Sequence, residues 1–321
     1  MDDARYLYIV SSPHGGSTLL SLVLGNHPQA GNLGEVSFIP KLLALGELCT
    51  CGTVLRECGH WSNTFGELQR TTGHDMRRTP YKPYLGDALK GKDGSGLIDH
   101  QQQTRLRYLY GKMRGAVDTA TLLATPRWLG MGATTLPSVR FSVRNTLALY
   151  AAAGEAHGQR LIIDASKLPR KAPHLYRADP DRVRILHLVR DGRGVVNSRK
   201  RYMPVARAAE RWNHYHRLSA GILDSWVSPE HRLRLSYEDF VGDPPTALKA
   251  VFEWLDMDYM DACLEFGEDK VVHSAGGNPA RFGLASGIKP ADERWRTGLT
   301  PADLEAFEAE AGALNRQFGY E

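Results

Sequence analysis

The stretch YLYIVSSPHGGSTLLSLVLGNHP, from Tyr6 to Pro28, constrains the fold more than any other part of the chain. An apolar run leads into a glycine turn and then into an apolar helical segment, which is the outline of a phosphate-binding loop. Glycines let the backbone approach a ligand closely, and the free amides of a helix start favour an oxyanion. The residues in position for this are Pro13, His14, Gly15, Gly16, Ser17 and Thr18. A nucleoside-triphosphate loop reads Gly-Lys-Ser/Thr, where the lysine reaches the γ-phosphate. Here the sequence is Gly16-Ser17-Thr18, so the expected anion is one without a γ-phosphate. The alternative is a glycine turn that serves only to pack strand on helix.

Further apolar runs alternate with helical stretches, the pattern of an α/β fold. Strands are expected at 6–12, 160–166, 183–189 and 231–240, with a shorter one around Ala30–Leu33. Helices are expected in GSTLLSLVLGN, GRGVVNSRKRY, PVARAAERWNHYHRLSAGIL and PPTALKAVFEWLDM. The expected architecture is three-layered, with a central, mainly parallel sheet and a P-loop-like nucleotide site. We expect one domain over 1–321, with a helical and loop insertion around 70–150 that shapes an acceptor pocket. Tyr81, Tyr84, Tyr108, Tyr110 and Trp128 fall in that insertion.

Loops that follow parallel strands gather at one edge of the sheet, so strand ends are where ligand-binding residues belong. After 183–189 comes RDGRGVVNS, with Arg190 leaving the sheet and Ser198 eight residues on. A guanidinium forks onto two phosphate oxygens and a hydroxyl can add a third bond. A solvated Arg-Asp pair at a helix start is the competing reading. Asp191 itself suits a turn or helix cap better than a metal ligand.

SSPHGGSTLL and RDGRGVVNS together resemble the two phosphate motifs of sulfotransferases that use 3′-phosphoadenosine 5′-phosphosulfate (PAPS). The likeness extends to IIDASKLP (162–169), to 232–257 and to GNPARFGLASGIKPADERWR (277–296), leaving about 70–150 unmatched. The resemblance implies a P-loop-like fold and transfer of a sulfuryl group from PAPS to a hydroxyl, leaving PAP, with no metal required. It implies that the first loop holds the 5′-phosphosulfate and that Arg190 and Ser198 hold the 3′-phosphate. It also implies a closing loop in which Arg281, Phe282, Gly283 and Lys289 contact the nucleotide. Arg294 is a further cation there, and Phe282 or Trp295 the candidate for stacking on adenine. His14 stands where the family usually has lysine or arginine.

Sulfuryl transfer needs a base for the acceptor hydroxyl, in-line placement and charge stabilisation at the leaving phosphate. Glu35, after the short second strand, is the candidate base, unless it is only a helix-start residue. Lys167 and His14 are the candidates for charge stabilisation, together with the amides of Gly15 through Thr18. The acceptor is expected to be a small molecule, a carbohydrate or a lipid-linked hydroxyl.

Cys49, Cys51 and Cys58 lie in ELCTCGTVLRECGHW; with His60 they form a C-x-C-x6-C-x-H array. Cys-x-Cys is tighter than the usual gap of structural zinc sites. Free, largely buried thiols are therefore the leading expectation, ahead of a disulfide and of zinc. His187, His273 and the histidines of WNHYHR read as structural or surface residues, with no metal ligands at suitable spacing.

The formal charge of +4 does not call for nucleic acid as a partner. No apolar run reaches the roughly 18 residues of a membrane helix, and the amino terminus lacks a signal-peptide pattern, so a cytoplasmic location is expected. A P-loop kinase or NTPase, and a catalytically inactive PAP-binding protein of the same fold, are the alternatives.

Overall fold

The computed structural model describes residues 4–78, 105–124, 137–267, 271–282 and 287–321. Five strands form one sheet: β1 (Arg5–Ser11), β2 (Ala30–Gly34), β3 (Leu161–Asp164), β4 (Val183–Val189) and β5 (Arg232–Ser236), in the order β2-β3-β1-β4-β5. All four pairings are parallel, with Tyr8 opposite both Asp164 and Ile185. The expected α/β class holds, and the carboxyl ends of all five strands face one edge.

Alternation along the strands makes the two faces. Tyr6, Tyr8, Val10, Ile162, Val183 and Ile185 pack with Trp61, Phe65, Tyr150 and Leu175. These come from helices α3 (Gly59–Thr72), α5 (Pro137–His157) and α6 (Lys171–Ala178). Leu7, Ile9, Leu161, Ile163, Leu186 and Leu188 point the other way, against Leu20, Phe240, Val251 and Phe252. Those belong to α1 (Ser17–Gly25), α9 (Tyr237–Gly242) and α10 (Pro244–Trp254). Strands buried on both faces read as continuous apolar runs, which is why they are legible in the sequence. Beside β4, α7 (Gly192–Arg199) packs on α8 (Val205–Trp226) and α12 (Pro301–Phe307) through Val196, Trp212 and Phe307.

Two strand boundaries differ from expectation. The run 231–240 stops being a strand at Ser236, whose hydroxyl accepts from Asp239 N at 3.2 Å and caps α9. The Ser-x-x-Asp spacing is a helix-start signature that the apolar pattern hides. The run 160–166 ends at Asp164, whose carboxylate accepts from Ser166 N (2.7 Å) and Tyr150 Oη (2.5 Å) and so bends the chain out of the ladder. Between 70 and 150 the described residues include α4 (Arg105–Ala124) and most of α5. Tyr81, Tyr84 and Trp128 lie outside the described residues, and the structure gives no side-chain account of Tyr108 and Tyr110.

Candidate functional site

Each strand end delivers a polar or glycine-rich element to the same edge. The loop after β1 turns through His14 (φ 67°) and Gly16 (φ 92°), and Gly16 forms the amino-terminal boundary of α1. A Cβ at Gly16 would lie 2.2 Å from Cδ2 of Tyr237, so only glycine fits between loop and ring. Gly15 N turns back to donate to Ser12 O at 3.0 Å. The amides of the helix start, Ser17 and Thr18, have no intrahelical acceptor and are free to meet a ligand. The first turn of α1 carries no acidic side chain, and the loop's Ser12 Oγ is buried without a hydrogen-bond partner among the described residues. An unpaired buried hydroxyl beside free amides fits a bound anion.

Arg190, at the end of β4, ties this loop in place. Its Nη1 donates to His14 O at 3.0 Å, its guanidinium lies 4.8 Å from the centre of the Tyr237 ring, and Nη2 is 3.8 Å from Asp292 Oδ2. The side chain is buried and leans on Gly194 in α7. Ser198, one turn further along, donates back to Gly194 O at 3.0 Å. Arg190 and Ser198 thus both lie against Gly194 of α7, but the hydroxyl is engaged with its own helix. Asp191 caps α7 by accepting from Arg193 N at 2.8 Å, as its position implies.

The end of β2 is kinked. A register shift between Asn32 and Gly34 is fixed by Gly34 N donating to Asn32 Oδ1 at 2.9 Å. Gly34 has φ 70°, and a Cβ there would lie 2.2 Å from Ala275 O. The chain then places Glu35, whose amide donates to Ala275 O at 2.7 Å. The Glu35 carboxylate does not cap the short turn that follows; its Oε1 accepts from Lys167 Nζ at 2.5 Å. Both side chains are about one-fifth exposed, so the pair is neither dry nor fully solvated.

Lys167 sits at φ 64°, a left-handed conformation that costs a β-carbon residue about 1–2 kcal/mol. Its neighbours hold it there: Lys167 O accepts from Tyr215 Oη at 2.7 Å, and Leu168 N donates to Tyr8 Oη at 3.1 Å. Beneath it runs a buried polar network that the apolar pattern of the sequence does not reveal. Lys171 Nζ donates to Ser37 Oγ (2.9 Å), Ser37 N to Ser166 Oγ (2.9 Å), and Ser166 N to Asp164. Burial lowers the Lys171 ammonium to about 8, against the opposing pull of Asp164. The signal was present as Asp-x-Ser, an Asx-turn spacing.

Burial lowers the pKa of His14, and Arg199, Arg201, Arg190 and Lys167 lower it further. At neutral pH the ring is therefore uncharged in a field of cations. Arg199 and Arg201 are thus two further cations near His14, beyond the motif residue Arg190.

The residues at 277–296 divide between contacts with the first loop and contacts elsewhere. Asn278 N donates to Thr18 Oγ1 at 3.3 Å, which brings 277–282 against the first loop. Arg281, however, donates to Gly277 O (3.0 Å) and Leu48 O (3.4 Å), with its guanidinium 4.4 Å from the centre of the Phe282 ring. It joins the closing segment to residues near 48. Phe282 and Lys289 are exposed, Pro13 is exposed at the loop tip, and Gly283 lies outside the described residues. Arg294 is exposed and paired with Asp292 at 2.6 Å; Trp295 is buried, with Arg193 4.1 Å above its ring.

No described helix is long and apolar enough to cross a membrane. The sequence profile of a sulfotransferase family matches residues 7–261. Among solved structures, the sulfotransferase domain of the Synechococcus PCC 7002 olefin synthase is similar at 23% identity and TM-score 0.51, covering 99% of this chain and 96% of that one. The sulfotransferase domain from the curacin biosynthetic pathway is similar at 17% identity and TM-score 0.51, covering 99% and 98%. A search of curated proteins gives no match.

Proposed function

The chain belongs to the sulfotransferase family, and on that premise we propose that it transfers a sulfuryl group from PAPS to an acceptor hydroxyl. The observation that carries the reading is the meeting of four strand ends at one edge. The helix-start loop and Arg190 make an anion cradle, and the Glu35–Lys167 pair stands beside it.

In this reading the amides of Ser17 and Thr18 hold the 5′-phosphosulfate, and Arg190 is the principal contact to the 3′-phosphate. Ser198 joins it by giving up its bond to Gly194 O. Glu35 takes the acceptor proton as the hydroxyl oxygen bonds to sulfur and the sulfur–oxygen bond to the phosphate breaks. Lys167, released from Glu35, places its ammonium on the leaving phosphate oxygen. One ion pair therefore supplies both the base and the cation, each masked by the other until an anion arrives. His14 adds one N–H, and a full charge once an anion outweighs the neighbouring guanidinium groups.

The chemistry needs no metal at this edge. The acceptor is a hydroxyl compound of small-molecule, carbohydrate or lipid-linked type, and the location we propose is cytoplasmic. The test is thermal stability of the chain with PAP, ADP and ATP in parallel. Preferential stabilisation by PAP supports the reading, because a ligand that binds only the folded state raises stability by mass action. Equal or greater stabilisation by ATP overturns it.

A further inference from the structure

Folding changes the reading of the cysteine-rich segment. The sequence array ends in His60, but His60 is not the residue that meets the thiols. Its ring stacks between His157 (centroids 3.7 Å) and His273 (4.6 Å), nearly parallel to both. The imidazole that reaches the sulfurs belongs to His273, for which the sequence showed no partner. Its Nδ1 is 3.5 Å from Cys49 Sγ and 3.4 Å from Cys58 Sγ, and Cys51 Sγ is 3.7 Å from Cys58 Sγ. All four ligand atoms lie within 4.8 Å of one another.

We propose that Cys49, Cys51, Cys58 and His273 form a structural zinc site. Zinc–sulfur bonds of about 2.3 Å and zinc–nitrogen bonds of about 2.0–2.1 Å in a tetrahedron give edges of roughly 3.8 Å between sulfurs and 3.5 Å from sulfur to nitrogen. The three short separations match those edges. A disulfide requires a sulfur separation of about 2.05 Å, and it would use two of the thiols and leave the third against the imidazole. Convergence is also costly to arrange by chance, since His273 is 215 residues from Cys58. The tight Cys-x-Cys gap, which argues against zinc in the sequence, is accommodated because Gly52 turns the chain at φ 81° and its amide donates to Cys49 O at 2.9 Å.

The site has a mechanical role. Thr50 and Ser274 are laddered, with Thr50 N donating to Ser274 O (3.3 Å) and Ser274 N to Thr50 Oγ1 (2.9 Å). The next residue, Ala275, accepts from Glu35 N, and Asn278 reaches Thr18. Zinc therefore pins residues 272–278 to the hairpin at 49–53, and that strap in turn braces both Glu35 and the anion loop. The ion lies outside the reacting edge and supplies no chemistry to it.

Metal analysis of the chain purified without added chelator and dialysed against metal-free buffer tests this directly, whatever the enzyme's substrate. We expect one equivalent of zinc. Exchange for cobalt should give the intense visible absorption of tetrahedral cobalt thiolate. Cys58→Ser and His273→Gln should lose the metal, whereas His60→Gln and Cys263→Ser should keep it. Because a ligand variant can fail to fold, the wild-type chain carries the decisive measurement. Absence of bound metal from the folded wild-type chain overturns the proposal, whether thiol counting finds four free thiols or a Cys51–Cys58 disulfide. So does a cobalt spectrum without thiolate bands, or retention of the metal in folded His273→Gln.

Discussion

Lys167 Nζ lies 2.5 Å from Glu35 Oε1, joining two residues 132 positions apart at the ends of neighbouring strands. The contact is made possible by two backbone irregularities, the bulge that ends β2 and the left-handed turn at Lys167 that follows β3. Strain of this kind persists where the surrounding structure over-determines it, and it clusters at sites that act on ligands.

Glu35→Gln keeps the size and polarity of the side chain but cannot take a proton. Turnover should fall by about 10²–10⁴-fold while PAP affinity stays within a few-fold of wild type. Steady-state rates beside PAP titrations check this. Lys167→Ala should lower turnover as well, and unchanged turnover in Glu35→Gln would remove the base from this position.

Arg190→Ala should weaken PAP binding at least tenfold, since charge-assisted bonds contribute about 1.5–3 kcal/mol. It should also lower the melting temperature, because the guanidinium holds His14 O and lies over Tyr237. Ser198→Ala should cost less than Arg190→Ala, because its hydroxyl must first leave Gly194 O. Calorimetric titration with PAP orders the two; equal losses would contradict the geometry.

Much of this edge was legible before folding. Apolar runs revealed four strands, that of β5 broken by arginines, and glycine and arginine at strand ends drew attention to the loop after β1 and to Arg190. Two kinds of feature were hidden. Side-chain caps such as Ser236 and Asp164 cut strands short inside apolar runs, where hydrophobic pattern outweighs a single polar residue. Partnerships between segments far apart in the chain, such as Arg281 with Leu48 or His273 with Cys58, arise only when the chain folds and leave no spacing to read.

The state of His14 gives a pH dependence of known sign. Its pKa is lowered in the free protein, by burial and then by nearby cations. A bound phosphate should oppose that field and raise it, so PAP binding is expected to take up a proton. The His14 contribution to affinity should therefore grow as pH falls from 7 through the ordinary histidine value of about 6.5 toward the lowered one. Comparing wild type with His14→Gln across that range removes the titration of PAP itself. Parallel pH profiles for the two proteins would contradict proton uptake by His14.

Gly16→Ala tests the loop's fit. The added methyl meets the Tyr237 ring and the left-handed φ together. Backbone strain of this type alone costs about 1–3 kcal/mol, so the variant should melt at lower temperature and lose PAP affinity. Retention of both would mean that Tyr237 does not seal the loop.

Sulfuryl transfer is read out by mass spectrometry of a hydroxyl-acceptor panel incubated with PAPS and the chain. A sulfotransferase should yield an acceptor heavier by one SO₃ group, with PAP released in equal amount and both lost with Glu35→Gln. Acceptors phosphorylated from ATP in a parallel reaction, with none sulfonated from PAPS, would contradict it.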